Sequence, residues 1–336
     1  MNIQKGNHRE TNIELLRFVL MFMICVWHTM VHGFDYKNMS DSIIPDAKGA
    51  ILMALCVPAV DTFMLISGFY GIKYSLDKLL RLIIQALMIS NTVILFKYFF
   101  YDGNLEFYYQ LFPVSSECWW FLSVYIVLML LSPIINGGIL QISSRLFLQI
   151  LVPLFFIYSI IQYRLEMNTG GNFITMLLVY LLGRYLNKTS YNLTTGVSSL
   201  LFCLSFVSIL SMMYYFYSIE RYDSIWRTLN YNNPLVILMS VSLFYLVKSI
   251  KKTINPQLAL FLGRHSLSIY MFTEIIGLSL YQYWSSLLEL NFFLFLLTII
   301  VTIIIIEFID VPYSWINSNV RKLILQTMTF PNVKKK

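Results

Sequence analysis

The sequence predicts an all-α, polytopic integral membrane protein of about ten transmembrane helices, with the N- and C-termini cytoplasmic. Three observations carry that prediction. Of 336 residues, 58% are hydrophobic and 12% charged, whereas a soluble domain carries about 25% charge; mean hydropathy is +0.68. Apolar runs near twenty residues recur from end to end, each long enough to cross a bilayer core of about 30 Å. With ten spans, three-quarters of the 24 Lys and Arg residues fall on one side of the membrane. The positive-inside rule makes that side the cytoplasm.

The first span, about residues 13–32, is apolar yet carries Glu14, Arg17, His28 and His32. Glu14 and Arg17 stand three apart near its start, where they can pair or snorkel. His28 lies eleven residues beyond Arg17, about 16 Å along the axis and on nearly the same face. Two readings fit this spacing equally: an inward polar track, or a snorkelling arginine with a hydrogen-bonded histidine. Gly33-Phe34-Asp35 is no small-x-small cleavage site, so this helix is expected to be retained.

The second span, about 50–71, holds Asp61 mid-membrane, with Pro58 before it and Ser67-Gly68 near its cytoplasmic end. Pro58 predicts a bend. A carboxyl at that depth must be neutral, paired or wet, with His28 a partner at comparable depth or a helix–helix hydrogen bond as the alternative. Lys78 and Arg81 lead into the third span, about 80–101, and suit either phosphate groups or lipid headgroups. Glu117 opens the fourth span, about 118–136, before Trp119-Trp120; it is either a first-turn acid or a general base for an external hydroxyl. Further spans fall at about 146–163, 172–187, 195–218, 233–248, 266–285 and 292–310. In the ninth, Glu274 lies one turn past Tyr270 as a second buried acid, while Glu307 and Asp310 near the end of the tenth call for no special account. The outer loop 219–232 carries Tyr222, Trp226 and Tyr231, which read as interface anchors or as a substrate platform.

One transmembrane domain is expected over 1–336: a helical core of about 12–310 and a basic cytoplasmic tail, 311–336, able to touch anionic lipid. The net charge of +7 is distributed by side rather than as a patch, so no nucleic-acid partner is expected. Cys25, Cys56, Cys118 and Cys203 are scattered and suggest neither a disulfide framework nor a metal site. Acids are too few for a cation pore, and no GxGxxG, Walker or zinc spacing occurs. An inward histidine with basic residues at the cytoplasmic mouth suits a membrane enzyme using an anionic cytosolic donor.

These residues carry a resemblance. NIELLRFVLMFMICVWH, with Glu14, Arg17 and His28, resembles the first helix of the membrane-bound acyltransferase-3 family, bacterial integral-membrane O-acyltransferases that modify surface glycans. VPAVDTFMLISGFYG resembles that family's second helix, and Lys78-Leu-Leu-Arg81 the basic pair after it. WWFLSVYIVLMLLSPIIN from Trp119 to Asn136, LLGRY at 181–185 and HSLSIYMF at 265–272 follow in the same order. The resemblance implies transfer of an acyl group, usually acetyl, from cytosolic acyl-CoA to a hydroxyl of a surface polysaccharide or lipid-linked sugar at the cell membrane. It implies His28 as general base or transient acyl acceptor, and Arg17, Lys78 and Arg81 as holders of the acyl-CoA phosphates or polarisers of the thioester. Two departures stand out. Thr273-Glu274 follows Tyr270-Met271-Phe272 where the family often has a histidine, and Glu117-Cys118 stands where many members have another. The alternative is an exporter or flippase for a glycan or lipid-linked sugar, which requires a continuous polar cavity.

Overall fold

The computed structural model describes residues 11–36, 44, 46–100, 112–116, 119–161, 171–250 and 255–328. Every element among them is helical. The chain begins with α1, Thr11–His28, continued by a π-helical turn, Thr29–Gly33. Then come α2, Ala47–Cys56, and α3, Ala59–Tyr70, followed by α4, Leu76–Phe100. Next are α5, Trp120–Gln141, and α6, Ser144–Phe155, which also ends in a π segment. They are followed by α7, Phe173–Lys188, α8, Thr195–Ser218, α9, Tyr222–Thr228, and α10, Pro234–Lys248. The chain closes with α11, Pro256–Arg264, α12, Ser266–Ile276, α13, Leu278–Leu290, and α14, Phe292–Met328.

Among the described residues, six spans are long and apolar enough to cross a membrane, α2 and α3 forming one of them together. The chain is a helical, multi-pass membrane protein. Burial sorts those six into core and periphery. The first two are 61% and 72% buried, whereas those formed by α5, α6, α8 and α14 are 17% to 33% buried. Helices of the second kind turn apolar faces outward, such as Ile134 on α5 and Phe293 on α14, as lipid-facing helices do. The centre is α1, which packs against α2, α3, α10, α11, α12 and α14.

Two close approaches hold this centre together. A Cβ on Gly68 would stand 2.2 Å from the Tyr180 carbonyl oxygen, and one on Gly183 would stand 2.5 Å from that of Leu65. The small residues of α3 and α7 therefore let two backbones meet, the ordinary device for helix contact without a hydrophobic driving force. Below that crossing, the Tyr180 hydroxyl accepts from Ile72 N–H and donates to Asn136 Oδ1, while Asn136 Nδ2 donates to the Ile72 carbonyl. This ring locks the chain leaving α3 to α5 and α7. It gives the asparagine of SPIIN a structural job.

Several expectations need correction. The expected helix 266–285 is two, α12 and α13, broken at Gly277, whose φ of 65° ends the first. α9 and α11 lie in stretches expected to be loops. The last helix does not stop near residue 310: α14 runs to Met328 through Pro312, so most of the expected tail is helical. The bend at Pro58 is present as a break between α2 and α3, its carbonyl taken by Thr62 and Ser240. Loop segments 37–43, 101–111 and 162–170 lie outside the described residues.

Candidate functional site

A cavity of about 290 Å³ lies between α1, α3, α4, α5 and α12. Arg17, Lys78 and Arg81 line it, and so do His28, Ser67 and Tyr270. Residues drawn from four helices and spread over more than 250 positions thus meet at one space. Lys78 and Arg81 are exposed, so the cavity opens beside the start of α4. His28 lies about 16 Å deeper along α1 than Arg17. Trp120, Phe121, Tyr125 and Tyr231 supply an aromatic wall, the Trp120 and Tyr231 rings stacking with centroids 5.7 Å apart.

The deep end is built around His28. Glu274 Oε1 stands 2.5 Å from His28 Nδ1. The Tyr281 hydroxyl donates to the same carboxylate oxygen at 3.1 Å and lies 3.2 Å from Nδ1. An imidazole whose Nδ1–H donates to a carboxylate keeps a lone pair on Nε2, and among the described residues Nε2 makes no hydrogen bond. The His32 ring stacks on Tyr281 at 5.7 Å and stands 5.8 Å from the His28 ring. Local geometry brings these groups together. A Cβ on Gly33 would sit 2.4 Å from the Tyr281 carbonyl oxygen, so the π turn and α13 touch backbone to backbone. The Gly277 break re-aims α13 so that Tyr281 can reach His28.

The shallow end is cationic. Arg17 Nη1 donates to Glu14 Oε1 at 2.8 Å, the pairing their spacing allowed. Glu14 is buried under α11, where a Cβ on Gly263 would stand 2.7 Å from Oε2. Arg17 is thereby anchored while still lining the cavity. Ser67 Oγ donates to the Phe63 carbonyl within α3.

The remaining expected site residues fall elsewhere. Asp61 is fully buried, and neither carboxylate oxygen has a hydrogen-bond partner among the described residues. It does not pair with His28, whose carboxylate is Glu274. Trp119 is buried beside the cavity, which Trp120 lines in its place. Glu117 lies outside the described residues. Asp310, expected to be unremarkable, is buried at the centre of a network: it pairs with His265 Nδ1 and accepts from Gln85 Nε2 at 3.1 Å and Ser314 Oγ at 3.0 Å. Among the described residues no cluster of His, Cys, Asp and Glu is suited to hold a metal.

A family model described as an acyltransferase domain matches residues 10–309. The chain belongs to the acyltransferase-3 family. That match spans every residue named at the cavity, from Arg17 to Tyr281. No curated protein and no solved structure matches the chain. The acyltransferase therefore carries its histidine, its paired acid and its basic mouth within the region that defines the family.

Proposed function

We propose that this acyltransferase is an O-acetyltransferase, moving acetyl from cytosolic acetyl-CoA to a hydroxyl of a surface polysaccharide or lipid-linked glycan. The observation that carries the reading is a single cavity joining Arg17, Lys78 and Arg81 to His28. Coenzyme A presents phosphates at one end and the thioester at the other, along an extended pantetheine arm. Three cations at the mouth match the phosphates, and charge-assisted hydrogen bonds to them are worth about 1.5–3 kcal/mol each. The space of about 290 Å³ is small for a ligand site, since such pockets run from about 300 to 1,000 Å³. It suits a narrow arm with a short acyl group rather than a glycan chain.

At the deep end His28 acts as general base. The acceptor hydroxyl attacks the thioester carbonyl, and its proton passes to His28 Nε2. As the tetrahedral intermediate collapses the C–S bond breaks, and the departing thiolate takes that proton. Glu274 holds the imidazole in the productive tautomer and stabilises the transient imidazolium, as the acid of a serine-hydrolase triad does. Arg17 grips the donor rather than the oxyanion, because the length of the arm separates it from His28. Glu117 keeps the role its place in the sequence suggests, a general base on the acceptor side. Ten spans, cytoplasmic termini and a plasma-membrane location complete the reading, since they put the basic mouth on the side that holds acetyl-CoA.

The test is made in cells lacking the native gene and carrying the protein or its His28→Ala form at matched membrane abundance. Surface polysaccharide and lipid-linked sugars are then weighed by mass spectrometry. The mass increment of one acetyl group appears with the native protein and disappears with H28A. Unchanged acylation, with glycan export rising and falling with the protein, would favour an exporter.

A further inference from the structure

α4 and α14 run side by side in opposite directions, joined by a ladder of polar contacts beside the cavity mouth. Arg321 Nε lies 2.7 Å from Asp77 Oδ1, Asn317 Nδ2 donates to the Arg81 carbonyl at 2.8 Å, and Gln85 Nε2 donates to Asp310 Oδ1. On α4 the positions are 77, 81 and 85, one per turn on one face. On α14 they are 321, 317 and 310, again one face. Gln85 also donates to Ser268 on α12, and Asp310 holds His265 at the start of that helix. Ser266, Leu267 and Tyr270 of α12 line the cavity. α14 thus ties together both walls of the mouth: Asp310 reaches α4 and α12, and Asn317 and Arg321, beyond it, hold α4.

Asn317 is buried, and its partner is the backbone of the residue whose side chain lines the cavity. A buried amide spent on a helical carbonyl that already has an intrahelical donor adds little to α4 itself. It fixes where the first turns of α4, and so Lys78 and Arg81, stand relative to α12.

We propose that the C-terminal part of α14, through Asn317 and Arg321, positions the Lys78–Arg81 turn to receive the donor's phosphates, a reading that rests on acyl-CoA being the donor. Asn317 and Arg321 are positioning residues. They touch no substrate and act through α4, Asn317 at the Arg81 backbone and Arg321 at Asp77.

Radiolabelled acetyl-CoA is bound at equilibrium to the full chain in nanodiscs. The forms compared are the native protein, Asn317→Ala, Arg81→Ala, the double variant, and Leu323→Ala at an exposed position on the same segment. Asn317→Ala raises Kd about fivefold, and Leu323→Ala leaves it at the native value. The double variant loses less than the sum of the two single losses, because residues acting through one another are not additive. If Asn317→Ala fails to reach the membrane, Arg321→Ala takes its place, its Kd rising about twofold and restored by Arg321→Lys. A variant Kd equal to native, full additivity in the double variant, or an equal loss in Leu323→Ala overturns the positioning role and leaves the donor site standing. A native protein that does not bind acetyl-CoA overturns the donor reading and this inference with it.

Discussion

Glu274 and His28, 246 positions apart in the chain, meet through Oε1 and Nδ1 at 2.5 Å. A carboxylate there fixes which imidazole nitrogen is free, and in the proposed mechanism it balances the charge the ring gains. Glu274→Gln keeps the shape and loses the charge. Its kcat for acetyl transfer is expected to fall on the order of 100-fold or more, while acetyl-CoA affinity stays within about twofold. Steady-state kinetics on protein in nanodiscs separates the two.

Tyr281 supports the same carboxylate with one hydroxyl donor. Removing it in Tyr281→Phe forfeits about 1 kcal/mol, so a fall in kcat of about fivefold is expected, well short of the Glu274→Gln loss. If both substitutions cost the same, the hydroxyl does more than orient Glu274.

The basic mouth predicts salt sensitivity. Acetyl-CoA affinity is expected to drop as ionic strength rises, and to drop less steeply in Lys78→Ala or Arg81→Ala. Each of these variants raises the KM for acetyl-CoA about tenfold, equivalent to about 1.4 kcal/mol, with kcat nearly unchanged. Initial rates at several salt concentrations check both statements.

The helix crossings predict an asymmetry among glycines. Gly68→Ala and Gly183→Ala push a methyl into backbone of the facing helix, so folded protein in the membrane falls sharply. Gly137→Ala and Gly138→Ala meet nothing within 4 Å and leave abundance unchanged. Detergent-solubilised protein passing a sizing column monodisperse gives the readout.

Much of the candidate site is legible in the chain because its residues break a rule. A charge or imidazole in an apolar run is conspicuous, and Arg17, His28, Lys78 and Arg81 all line the cavity. What the chain hides is partnership. Asp61 and Glu274 look alike as buried acids, and only the packing of α12 against α1 decides which one reaches His28. Tyr281 was missed because a tyrosine in an apolar helix breaks no rule. The signal available was Gly277, three residues after Glu274, which marks a change of direction. The polar face of α14 past residue 310 does not show in the chain because its partners, Asp77 and Arg81, lie more than 200 positions away. Helices that hydropathy treats as equals differ in burial, since lipid and protein are equally apolar surroundings.

The most direct test of the central claim separates binding from chemistry in one variant. Purified native protein and His28→Ala in nanodiscs are given radiolabelled acetyl-CoA and a glycan acceptor extract, and donor affinity and label transfer are measured on the same samples. One cavity with a donor mouth and a deep base predicts that His28→Ala binds acetyl-CoA within about twofold of native and transfers no label. Label transfer that persists in His28→Ala would contradict it.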